Sequence, residues 1–150
     1  MFDRLKRLFG GDVSPKPSRT TDPYVAAAAL LVEAALSDGV YANVESDQIA
    51  EILLESFQFD AARADAVLEE GERLAEQATG AHEFTKYVKR LSMEERTRLI
   101  QGLYRVALSD GEKSPFEDAY IRHVASLLHV DDISRAKARK VAEALAAGSD

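Results

Sequence analysis

The segment Ala-Leu-Ser-Asp-Gly occurs twice, at Ala35–Gly39 and Ala107–Gly111, at an offset of 72 residues. Six residues after each glycine stands a glutamate, Glu45 in the first copy and Glu117 in the second. A repeat at one fixed offset turns 150 residues into two related halves, each needing the same local structure. The register extends past the five identities: Val44-Glu45 falls on Phe116-Glu117, and Ile49 and Ile52 fall on Ile121 and Val124. After a one-residue slip, Phe59-Asp60 meets Val130-Asp131. Each half reads as helix, Asp-Gly turn, helix, aspartate-capped helix. Three helices of this size bury little alone, so the halves are expected to pack on each other about a pseudo-twofold axis.

Cap signals and apolar spacing predict helices throughout and no strand. Asp22-Pro23 is an N-cap followed by proline at the first helical position, opening a helix to about Ser37. A second helix covers Glu45–Phe57, with Ile49, Ile52, Leu53 and Phe57 on one face. A third starts near Asp60, repeats Ala64, Val67, Leu68, Gly71, Leu74, Ala75 and Ala78 with a 3.6-residue period, and ends near Gly80. A short helix follows around Glu83–Lys89. Ser92-x-x-Glu95 is a capping box opening a helix that carries Leu99, Ile100, Leu103, Val106 and Ala107. Ser114-Pro115-Phe116-Glu117 is another, opening a helix with Phe116, Tyr120, Val124 and Leu127 inward. Asp131 or Asp132 caps the last helix, which ends near Ala147. The expected fold is all-α, a compact bundle of about seven helices built from two pseudo-symmetric three-helix halves.

Residues 1–22 read differently. In MFDRLKRLF, Phe2, Leu5 and Phe9 fall at i, i+3, i+7 among Arg4, Lys6 and Arg7, and residues 10–21 form a Gly/Pro/Ser/Thr linker. This basic amphipathic tail reads first as a disordered tail with a few apolar residues; the sharper alternative is a helix that docks weakly on a membrane surface or a partner, since nine residues offer too little apolar area for firm anchoring. The helical domain is expected over residues 23–148.

Charge and composition narrow the function. The formal net charge is −7, with +3 in residues 1–20 and −10 in the remainder. An acidic body argues against nucleic acid, whose binding depends on neutralising phosphates. It suits cations or basic partners. The apolar fraction of 46% and charged fraction of 30% are those of a soluble globular protein. No apolar run approaches the ~20 residues that span a bilayer, and no secretory signal opens the chain. The absence of cysteine excludes disulfides and thiolate chemistry and fits a reducing cytoplasm.

The duplication puts four carboxylates, Asp38, Glu45, Asp110 and Glu117, at matched positions. One reading makes them helix stops and starts, with glycine ending one helix and glutamate capping the next. The other uses the glycine-to-glutamate spacing, which is that of an EF-hand loop. Ala34, Leu36, Val106 and Leu108 stand where the earlier ligands would be, so neither loop is an EF-hand by itself. Two facing loops would supply four carboxylates, and crowded carboxylates either take up protons or hold a cation. Oxygen ligands favour Ca²⁺ or Mg²⁺ over Zn²⁺. His82 in a linker, His123 off the Glu117 face and His129 at a helix end read as structural. No phosphate loop, His-Glu-x-x-His or nucleophile elbow is present, and neither catalytic residues nor an organic cofactor is expected. A metal-assisted hydrolase is the remaining enzymatic alternative.

The doubled Ser-Asp-Gly…Glu pattern in an acidic, cysteine-free helical chain resembles the TerB-like family, over roughly residues 24–147. That family includes the tellurite-resistance protein TerB and the N-terminal domain of a membrane-anchored DnaJ-type co-chaperone. The resemblance implies a seven-helix domain with two similar halves and an acidic metal site at Asp38, Glu45, Asp110 and Glu117. It also implies a cytoplasmic or peripheral membrane location, at the inner face, and a protein partner in a stress-response assembly. Val40 and Tyr41 stand where Glu112 and Lys113 stand in the second copy, so the loops are unequal. The expected function is a non-enzymatic cation-binding interaction module; the alternative is a helical adaptor in which these residues only cap helices.

Overall fold

A computed structural model describes residues 22–36, 43–77, 81–108 and 115–148, with side chains for all of these except 43–45, 81–82 and 115–117. Among the described residues there are seven helices and no strand: α1 (Pro23–Leu36), α2 (Asn43–Phe57), α3 (Ala61–Gln77), α4 (Ala81–Val88), α5 (Met93–Leu108), α6 (Pro115–Leu127) and α7 (Asp132–Gly148). The amphipathic segment and linker expected in residues 1–21, with Ser37, Ala78 and Ser114, lie outside the described residues.

The caps form as the sequence dictates. Asp22 Oδ1 accepts from the Tyr24 N–H at 2.7 Å, Asp60 Oδ1 from the Arg63 N–H at 2.8 Å, and Asp131 Oδ1 from the Ser134 N–H at 2.7 Å. Asp131, not Asp132, is therefore the cap of α7. That bond also lowers the Asp131 carboxyl below the ordinary aspartate value, because it stabilises the anion. The Ser92–Glu95 box closes in both directions: Ser92 Oγ accepts from the Glu95 N–H at 3.1 Å, and Glu95 Oε1 from the Ser92 N–H at 3.3 Å.

Helix α1 is the centre of the molecule. Ala26–Val32 are all buried, so the helix is apolar around its whole circumference rather than along one stripe. Helices α2, α3, α4 and α5 surround it. The small side chains allow a close approach on the α3 side: a Cβ at Gly71 would stand 2.6 Å from Ala28 Cβ and 3.0 Å from the Ala29 nitrogen. Helix α5 runs beside α1 in the same direction. Near their starts the Tyr24 hydroxyl donates to Glu95 Oε2 at 2.7 Å, and midway a Cβ at Gly102 would meet Leu31 Cδ2 at 3.4 Å. Helix α7 packs mainly on α5. Its Arg135 reaches back so that Nη1 donates to the hydroxyl of the buried Tyr104 at 3.1 Å.

Several contacts recur after the one-residue slip, at an offset of 71 residues. Gln58 and His129 both adopt φ 60°, ending α2 and α6 in the left-handed conformation. The Phe59 N–H then returns to the Leu54 carbonyl at 3.2 Å, and the Val130 N–H to the Ala125 carbonyl at 2.9 Å. An arginine from α5 binds one further carbonyl at each of these ends: Arg98 Nη1 donates to Ser56 O at 3.2 Å, and Arg96 Nη1 to Leu128 O at 2.8 Å.

Two details differ from expectation. Leu128, fully buried, is the inward residue of the last α6 turn, with Leu127 half-buried, because the buried stripe runs Ile121, Val124, Ala125, Leu128. His82 lies in the first turn of α4 rather than in a linker.

Candidate functional site

Asp38 and Asp110 lie outside the described residues. Glu45 and Glu117 lie in the first turns of α2 and α6 by their backbone; their side chains are outside the description. What the structure does describe is the frame from which the two Asp-Gly loops depart, and that frame is held by contacts between the halves.

Gln48 is the sixth residue of α2, and its Nε2 donates to the Arg105 carbonyl, three residues before the end of α5, at 3.5 Å. Tyr120 is the sixth residue of α6, and its hydroxyl donates to Glu33 Oε1, three residues before the end of α1, at 2.7 Å. The same hydroxyl lies 3.5 Å from the Leu30 carbonyl. The start of each second helix therefore rests on the end of the first helix of the other half. With α1 and α5 running in the same direction, the C-terminal ends of α1 and α5 and the N-terminal ends of α2 and α6 meet at one end of the bundle. Both Asp-Gly segments connect ends that are gathered there.

Two carboxylates, Glu33 and Asp118, stand at this end among the described residues. The Tyr120 hydroxyl is pushed well above the ordinary tyrosine range, chiefly by burial and then by the Glu33 carboxylate beside it, so it stays a donor. Asp118, one residue past Glu117, pairs through Oδ2 with Arg122 Nε at 3.2 Å. Its Oδ1 is buried and has no hydrogen-bond partner among the described residues. A carboxylate oxygen buried without a donor is costly, and the Arg122 guanidinium on the other oxygen offsets part of that cost. The donors available from the sequence, four carboxylates with loop carbonyls, suit a hard ion.

The described residues do not themselves form a metal centre. Among them no group of three or more His, Asp or Glu is placed to hold an ion. His123 and His129 are exposed on or beyond α6. Glu33, Gln48, Arg105, Asp118 and Tyr120 had no motif to mark them. The one signal was register, since the offset of 72 sets Gln48 on Tyr120 and Glu33 on Arg105. Among the described residues, no helix is long and apolar enough to cross a membrane.

A family model described as "Tellurite resistance protein TerB" matches residues 24–140. No curated protein and no solved structure matches the chain.

Proposed function

The chain belongs to the TerB family, and from that premise we propose a non-enzymatic module that holds one divalent cation, Ca²⁺ or Mg²⁺, between its two Asp-Gly loops and presents the loaded domain to a protein partner. Asp38 and Glu45 from the first half and Asp110 and Glu117 from the second would supply the carboxylates. The observation that carries this reading is the gathering of four helix ends by the Gln48–Arg105 and Tyr120–Glu33 contacts. Neither loop completes a cage of six to eight oxygens alone, whereas two loops at one end of the bundle offer four carboxylates to a shared ion. The recurrence of left-handed ends at Gln58 and His129, with the matched cross-half contacts, supports two halves related by a pseudo-twofold axis.

Binding an ion at a junction between halves would draw their ends together, and that is the step a partner could read. A location on the cytoplasmic side and a place in a stress-response assembly follow from the same family premise and form part of the proposal. The test is calorimetry of the full chain with Ca²⁺, Mg²⁺, Mn²⁺ and Zn²⁺, repeated on Asp38→Asn with Asp110→Asn. Saturable heat with Ca²⁺ or Mg²⁺ that the double variant loses, while its circular dichroism is unchanged, is the expected result. Absence of heat with every ion leaves these residues as helix caps in a helical adaptor.

A further inference from the structure

Beginning beside the Gln48–Arg105 contact and extending along α2 to Glu55, an open groove of about 600 Å³ lies between α2, α5 and the last turns of α7. One wall is apolar: Leu108 from α5, with Ala142 and Leu145 from α7. Leu145 is 45% exposed, which leaves apolar surface uncovered at the rim. The other wall is polar and acidic, formed by Gln48, Glu51 and Glu55 of α2. Arg105 lies in the groove, and its charge is engaged by Glu55 at 2.7 Å.

An occupant of this groove needs an apolar edge and a basic edge on one short element. The chain carries such a segment. In residues 2–9, Phe2, Leu5 and Phe9 recur at helical spacing beside Arg4, Lys6 and Arg7. As a helix these eight residues would be about 12 Å long, short enough to lie between α2 and α7. The segment is tethered close by. Asp22 precedes α1, and Tyr24 stacks edge-on against Phe57 with centroids 5.1 Å apart, two residues beyond Glu55. Residues 10–21 can span up to about 40 Å when extended, and the Tyr24–Phe57 contact puts the start of α1 beside the Glu55 end of the groove.

We propose that residues 2–9 of this chain dock in cis in the α2/α5/α7 groove, Phe2, Leu5 and Phe9 toward Leu108 and Leu145, and the basic side chains toward Glu51 and Glu55. A short tether holds the segment at an effective concentration of order mM, so a contact too weak for a free peptide is populated within the chain. The segment then covers the exposed apolar rim of α7 and offsets part of the acidic charge of α2. This inference rests on the groove alone and does not depend on a bound cation.

The chain has no cysteine, so a single nitroxide can be placed without ambiguity. Asp3→Cys, spin-labelled in the full isotope-enriched chain without added metal, is expected to cause selective loss of amide intensity at Glu51, Glu55, Leu108, Ala142 and Leu145. Reduction of the nitroxide restores the intensities. The same label combined with Phe2→Ser and Leu5→Ser is expected to abolish the loss while the remaining spectrum keeps its dispersion, and Glu51→Lys is expected to weaken it. Undisturbed groove signals, or losses that survive the Phe2 and Leu5 changes, overturn the proposal. Losses seen only when labelled unenriched chain is mixed with unlabelled enriched chain also overturn it, because the occupant is then a second copy's segment.

Discussion

The Tyr120 hydroxyl on α6 donates to Glu33 Oε1 on α1 at 2.7 Å, and this bond ties the start of a helix in one half to the end of a helix in the other. Its counterpart at the repeat offset, Gln48 on the Arg105 carbonyl, is longer at 3.5 Å. The pair on the Tyr120 side is the stronger clamp, because a short bond to a carboxylate is charge-assisted.

Tyr120→Phe leaves the half-buried Glu33 carboxylate without this donor, and a loss of about 1–3 kcal/mol in unfolding free energy is expected in urea titrations. The same variant changes the alkaline limb. The folded hydroxyl titrates far above the unfolded value, so its contribution is complete below the unfolded tyrosine pKa of about 10 and declines as pH rises past it. The decline attributable to one such group is about 1.4 kcal/mol per pH unit, because the unfolded chain releases a proton that the folded chain retains. Tyr24 is shifted in the same direction, mainly by its bond to Glu95, but its partial exposure makes its share small. Equal alkaline limbs for the parent chain and Tyr120→Phe would refute this assignment.

Gly71→Ala places a methyl 2.6 Å from Ala28 Cβ and 3.0 Å from the Ala29 backbone nitrogen. Backbone on both sides cannot yield as a flexible side chain can, so α1 and α3 must move apart. An overpacking cost of about 1–3 kcal/mol or more is expected, outweighing the gain in helix propensity of about 1 kcal/mol. Gly102→Ala is expected to cost less, since its nearest neighbour is the Cγ2 end of Ile52 at 2.7 Å. Gly148→Ala, with nothing within 4 Å, serves as the control. Thermal melts showing Gly71→Ala no less stable than Gly148→Ala would contradict the close α1–α3 approach.

Gln58 and His129 hold φ 60°, where a side chain is strained and glycine is not. Both are exposed, so replacement removes no core contact. Gln58→Gly and His129→Gly are each expected to raise stability by about 0.5–1 kcal/mol, and to add when combined because the sites are independent. Chemical denaturation of the single and double variants tests this; destabilisation by either would show that the helix end is set by another contact.

A cation that binds only the folded chain stabilises it by mass action. At 100 times its dissociation constant the expected gain is about 2.7 kcal/mol. Under the proposed function this gain appears with Ca²⁺ or Mg²⁺ and is removed by Glu45→Gln with Glu117→Gln as well as by the aspartate pair. A melting temperature that rises equally in parent and variant chains would place the ion elsewhere.

Much of this architecture was local and therefore legible. The caps at Asp22, Asp60, Ser92 and Asp131 bond to amides two or three residues away, so residue type and spacing determine them. The inward faces of α2, α3 and α5 followed from a 3.6-residue period that one packing direction enforces. In α6 the phase slipped from Leu128 to Leu127, because the buried stripe continues past the helix end into the left-handed turn at His129. For the candidate site, the sequence named the duplicated carboxylates by register alone.

What the sequence could not decide is which segments meet across the molecule. The alanine-rich stretch Ala26–Ala29 could have packed along one face; burial around its full circumference depends on four other helices surrounding it. Nothing in Glu33 or Tyr120 distinguishes a surface pair from one that joins two halves, because that contact spans 87 residues. The groove walls come from α2, α5 and α7, segments with no common local signal. Short-range hydrogen bonds and amphipathic periodicity are written into adjacent residues, so the sequence by itself determined the helices, their caps and the paired carboxylates. The gathering of the loop-bearing helix ends at one end of the bundle depends on long-range packing around α1, and only the tertiary structure decided it.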